Sequence, residues 1–157
     1  MDESPDDPAA SWRAPATAKA KAAVQRAVTA LLDELAPERV LTRSARLPAA
    51  AVEQHRTPTG CVLQAATAAV SVSWFAGAGA HPALGELHIV VWRGTVTRPG
   101  TPRRREGATL VGETVLQPIE RPADGCAWRA ADGSEYDTAA LAAFCTRLLD
   151  EQVTGGE

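Results

Sequence analysis

The sequence predicts an α+β fold: a two-layer sandwich whose antiparallel meander sheet is covered on one face by N- and C-terminal helices. Three observations lead there. Helical periodicity is confined to one segment near each end of the chain, about 15–36 and the stretch after Asp137. The segments between them alternate with a period of two and are rich in β-branched residues. The turns joining those segments are short, and strands joined by short loops must be antiparallel, because parallel neighbours need a crossover of a dozen or more residues. Two amphipathic helices can then share one face of the sheet.

The elements follow in order. Residues 1–14 mix Asp, Pro and Ala without periodicity and read as a disordered acidic tail, leaving 15–153 as a single domain. Val24, Val28, Leu31 and Leu35 then recur at helical spacing, with Ala20 and Ala27 beside them and Lys19, Arg26 and Asp33 largely off the stripe. Pro37 is expected to end that helix. "RVLTRSARL" (39–47) sets Val40, Thr42 and Ser44 against Leu41, Arg43 and Ala45, which suits an edge strand. "PAAAVEQHR" fits either a short helix entered by Pro48 or a strand; strand is favoured, because "RTPTG" (56–60) supplies a turn into "CVLQA".

"TAAVSVSWF" (67–75) is a strand, "AGAGAHPALG" (76–85) a loop, and 86–97 a long strand. "RPGTPRRREG" (98–107) is a charged hairpin loop, and "ATLVGETVLQPI" (108–119) returns, with Gly112 marking a bulge. The chain turns again at "RPADG", and Asp132-Gly133 within "WRAADGSEY" signals a hairpin. Asp137 or Thr138 caps the final helix, whose stripe is Leu141, Phe144, Cys145, Leu148 and Leu149.

The totals bound the function. A chain of 157 residues is one domain by length and buries roughly 70% of its unfolded surface. Aromatics are 4% of residues and Trp supplies four of the seven, so Val, Leu, Ile and Ala must make most of the core, and Trp74, Trp92 and Trp128 carry much of the large apolar surface. The formal charge of −3 equals that of the first 14 residues, which leaves the rest near neutral. No long-range field draws in nucleic acid or an acidic membrane, and neither is expected as a partner. Heavy use of Ala, Arg, Pro and Gly points to a GC-rich, bacterial genome.

Cys61, Cys126 and Cys145 form no close pair, which suits a reducing cytoplasm. "MDESPDDPAA" has neither the positive region nor the apolar core of a signal peptide. The weakly polar run 65–80 falls short of the ~18 residues a membrane helix needs. The expectation is a cytoplasmic protein.

One strand raises the question of function. In "LGELHIVVWRG" (84–94), Leu87, Ile89 and Val91 alternate with Glu86, His88, Val90 and Trp92. If the first set meets the helices, the second shares the opposite face with Ser71, Ser73 and Phe75 of the preceding strand. An antiparallel sheet can leave one face to water, but a merely solvated face rarely selects Trp, Phe and Val. An apolar patch with a polar rim marks a ligand groove or partner surface. Three simpler explanations compete: the sheet curls to bury that side, the loop 47–60 covers it, or the faces are inverted on one strand.

Glu86 and His88, two apart on a strand, share a face. A nearby carboxylate raises an imidazole pKa, which is chemistry a general base can use; a hydrogen-bonded structural histidine is the plainer account. His55, His81, His88 and Cys61 match no compact zinc spacing, so no metal is expected. Arg103, Arg104 and Arg105 would grip an anion or simply keep a hairpin tip soluble. Gly77 and Gly79 lack dinucleotide-loop spacing. The sequence thus predicts a non-enzymatic binding or interaction module, centred on Ser71, Ser73, Glu86, His88 and Trp92. It would take a second copy of itself, another protein or a small apolar ligand, with no cofactor. The alternative is a small enzyme using His88 as base and Glu86 to orient it.

Overall fold

The computed structural model describes residues 18–44, 47, 52–77, 84–96, 108–122 and 125–155. The expected tail (1–14), His81 and the loop carrying Arg103, Arg104 and Arg105 lie outside them. In chain order the elements are α1 (Ala18–Glu34), α2 (Pro37–Arg43), β1 (Glu53–Thr57), β2 (Gly60–Gln64), β3 (Ala68–Ala76), β4 (Gly85–Arg93), β5 (Thr109–Arg121), β6 (Gly125–Ala130), β7 (Glu135–Tyr136) and α3 (Thr138–Gly155). The seven strands form one antiparallel sheet in sequence order, β1 to β7. This is the meander that the short connections require.

The helices cover one face of that sheet. Val24, Val28, Leu31, Leu32 and Leu35 from the first helical segment and Leu141, Cys145 and Leu149 from α3 are buried in one cluster. The same cluster holds Cys61, Leu63, Val70, Val72, Trp74, Leu87, Ile89, Val91, Leu116 and Trp128 from the sheet. These sheet residues alternate along their strands, as a period of two demands when one face meets the core. Trp74 and Trp128 meet edge to face, with centroids 5.8 Å apart.

α3 starts as its sequence signals: the Asp137 carboxylate accepts the Ala140 backbone N–H at 2.8 Å. The β6–β7 hairpin turns through Gly133 at φ +93°. Two other glycines allow strands to close on each other: a Cβ at Gly60 would sit 2.4 Å from the Val72 carbonyl oxygen, and one at Gly85 would sit 2.2 Å from that of Phe75. Pro118 lies two residues past the end of the β4–β5 ladder and pairs only with β6, so it occupies an edge-like position inside a long strand.

One element differs from expectation. Residues 37–43 form a helix, where the sequence suggested an edge strand from 39. Pro37 stands in the first turn after an extended Ala36, Glu38 lies near the N-terminal end and Arg43 near the C-terminal end. All three are helix-favouring placements. Tertiary contacts complete it. Arg43 donates to the Glu34 carboxylate and, at 2.9 Å, to the Glu34 backbone carbonyl, folding α2 back on the end of α1. The side chain of Ser44 bonds Asp150 of α3 at 2.6 Å. Pro37 therefore opens a second helix, with Leu35 and Ala36 between it and the end of α1.

No helix among the described residues is long and apolar enough to cross a membrane.

Candidate functional site

The site is assembled from the alternate positions, those the helices do not cover. Ser73 of β3 stands opposite His88 of β4, Ser71 opposite Val90, Phe75 opposite Glu86 and Ala69 opposite Trp92. On the far side of β4, His88 faces Val115 and Val90 faces Glu113 of β5. The register slips between Val91 and Trp92, so Gly112 pairs with Val91 while Leu110 pairs with Trp92. That bulge expels Val111 and sits beside the glycine expected to mark it. The described helices pack on the opposite face; on this one Ala69, Ile119 and Ala127 are nonetheless buried.

All five residues singled out in the sequence, Ser71, Ser73, Glu86, His88 and Trp92, fall on the open face and are half-buried. Two pairs of them bond directly. The Trp92 indole N–H donates to the Ser71 hydroxyl at 3.2 Å. His88 Nε2 lies 3.0 Å from Glu86 Oε1. A third member of the cluster had no signal in the sequence: His88 Nδ1 lies 2.9 Å from Glu113 Oε2 on the next strand. Phe75 packs edge-on against the imidazole, with centroids 4.9 Å apart.

This geometry decides what His88 does. Ionised carboxylates only accept hydrogen bonds, so an imidazole held between two of them must donate from both nitrogens. In that protonated form it has no lone pair to offer. Partial burial alone would lower its pKa, but the hydrogen bonds to Glu113 and Glu86 outweigh it and hold the pKa above the ordinary histidine value. The arrangement favours a positive charge between two negative ones.

A second cluster of the opposite sense lies toward the other edge of the same face. Arg121 and Arg129 both bind the carboxylate of Glu135, the Arg129 Nη2 contact being 2.7 Å. Sequence reasoning missed it, although a hairpin turning at Asp132-Gly133 does set Arg129 opposite Glu135.

Around these polar centres the face is apolar. Phe75 is 48% exposed, Leu110 57% and Val111 41%, large side chains with most of their contacts unmade. Val62, Val90, Trp92 and Val115 are half-buried between them.

The remaining candidates are weaker. Burial pushes the Cys61 thiol up to about 11 and the Cys126 thiol up to about 12, and raises that of Cys145 as well, so none is a ready thiolate. Among the described residues, no group of three or more His, Cys, Asp and Glu side chains is arranged to hold a metal ion. A concavity of about 320 Å³ lies on the helix side, lined by residues including Lys21, Val24, Trp74 and Leu84. Gly77 and Leu84 in its wall flank 78–83, which are outside the described residues.

No family model, no curated protein and no solved structure matches the chain. The fold and the face define a class, a seven-stranded meander backed by helices on one side, and function must be argued from that face.

Proposed function

We propose that the chain is a protein-interaction module whose contact surface is the open face of the sheet. One observation carries this. On the open face Leu110 stands exposed opposite the half-buried Trp92 at one end and Phe75 stands exposed opposite Glu86 at the other, with the half-buried Val62, Val90 and Val115 between them. Scattered single hydrophobes on a surface need no explanation, but a contiguous patch with a polar rim marks a binding surface. Aromatic side chains dominate such surfaces because they combine large contact area with few rotatable bonds.

The alternative, acid–base catalysis by His88 with Glu86, is less well supported. A general base needs a free lone pair within reach of a substrate proton, whereas both His88 nitrogens are engaged by carboxylates.

The test uses protein dilute enough to leave the face unoccupied and the neutral apolar dye Nile red. Wild-type chain is expected to bind the dye with enhanced fluorescence. A variant carrying Phe75→Asp and Leu110→Asp is expected to lose that signal while its circular dichroism stays unchanged. Full dye binding by the folded double variant would contradict the proposal and redirect attention to the groove beside Trp74 and Leu84.

A further inference from the structure

The occupant of this face is suggested by its charges. The cluster on β4 and β5 sets two carboxylates, Glu86 and Glu113, on one imidazole, and so is net negative in either protonation state of His88. The cluster on β5 to β7 holds two guanidiniums, Arg121 and Arg129, on one carboxylate, and so carries one residual positive charge. They are the inverse of each other and occupy the same face of the same sheet.

Gln117 lies between them. It pairs with Arg129 on one side, and one step beyond the Leu87–Leu116 pair of the other ladder it comes level with Glu86. Resting on the face being a contact surface, we propose that its occupant is a second copy of this chain. The two copies close face to face about a two-fold axis parallel to the sheets and passing over Gln117, so that each copy's acidic cluster meets the other's basic cluster.

A two-fold interface must be self-complementary, because the same patch supplies both sides. A face of uniform charge would repel its own copy; this one carries both signs on opposite sides of a common centre. Val115, two residues from Gln117 on the same face, supplies apolar contact close to the axis, and the paired charges set the register.

Sedimentation velocity on the full chain tests this. The wild type is expected at twice 16.4 kDa. Glu113→Lys alone, or Arg129→Glu alone, sets like charges against each other at two symmetry-related places, and each is expected to weaken association at least tenfold. In an equimolar mixture of the two variants, the lysine introduced at position 113 of one chain meets the glutamate introduced at position 129 of the other. The second contact of that mixed pair keeps the native Arg129 against the native Glu113, and the mixture is expected to regain the dimer mass. Should Glu113→Lys fail to fold, Arg129→Glu together with a wild-type dimer that weakens as salt rises carries the same test.

A wild type that stays at 16.4 kDa at every concentration overturns the second-copy proposal, while dye binding to the face still upholds its use for another partner. A dimer that ignores both reversals also overturns it.

Discussion

At the scale of single residues, His88 is the one whose environment makes the sharpest demand. Glu113 and Glu86 hold its folded-state pKa above the ordinary histidine value, against the pull of partial burial. A pKa raised by folding means the protonated group stabilises the folded state. That stabilisation is complete below the unfolded value of about 6.5 and is lost as pH climbs through the folded one. Urea midpoints should therefore fall across that window in the wild type and fall less in His88→Gln; identical pH profiles would show that the imidazolium contributes nothing. The sequence made half of this cluster legible, because Glu86 and His88 two apart on a strand must share a face. Glu113 was not legible. Its place beside His88 depends on a ladder with a bulge at Val111, and residue pattern alone determines neither the register across 97–107 nor the side on which the extra residue falls. Trp128 makes a different demand. It is fully buried, and its indole N–H finds no hydrogen-bond partner among the described residues. Trp128→Ala should cost about 3–5 kcal/mol through the cavity it leaves. Trp128→Phe should cost much less, since it keeps an aromatic ring against Trp74 and removes an unpaired donor. Chemical denaturation distinguishes the two, and equal losses would mean the N–H is satisfied after all.

At the scale of elements, the long helices and the strands with clean alternation were readable because one physical signal dominated each. Leu141, Cys145 and Leu149 repeat every four residues; Leu87, Ile89 and Val91 repeat every two. Residues 37–43 carried two signals of similar strength. Val40 and Thr42 are β-branched and favour a strand, whereas Pro37, Glu38 and Arg43 favour a short helix by position. The contacts that decide, Arg43 to Glu34 and Ser44 to Asp150, join parts of the chain whose proximity only the fold supplies. Two element-scale expectations follow. Asp137→Ala should cost about 1 kcal/mol by removing the cap of α3, read as a lower urea midpoint at unchanged slope. Gly85→Ala should cost more, because the new Cβ would fall 2.2 Å from the Phe75 carbonyl at a backbone φ of +135°. If Gly85→Ala were as stable as the wild type, β3 and β4 would not approach each other there as described.

At the scale of the whole molecule, the layer arrangement followed from the connectivity: a meander with helices only before and after it can be covered on one face by its own helices. What composition could not convey is how the open face distributes its charge. The near-zero charge outside residues 1–14 hides two clusters of opposite sign, which matter only once β4, β5 and β6 are set side by side. The claim that this face is kept for another molecule is tested most directly by hydroxyl-radical footprinting of the wild type at low protein concentration. Phe75 and Leu110 should be modified readily when dilute, with Ile89 and Val72 silent throughout. Phe75 and Leu110 protected even at high dilution, as though beneath the chain's own residues, would contradict it.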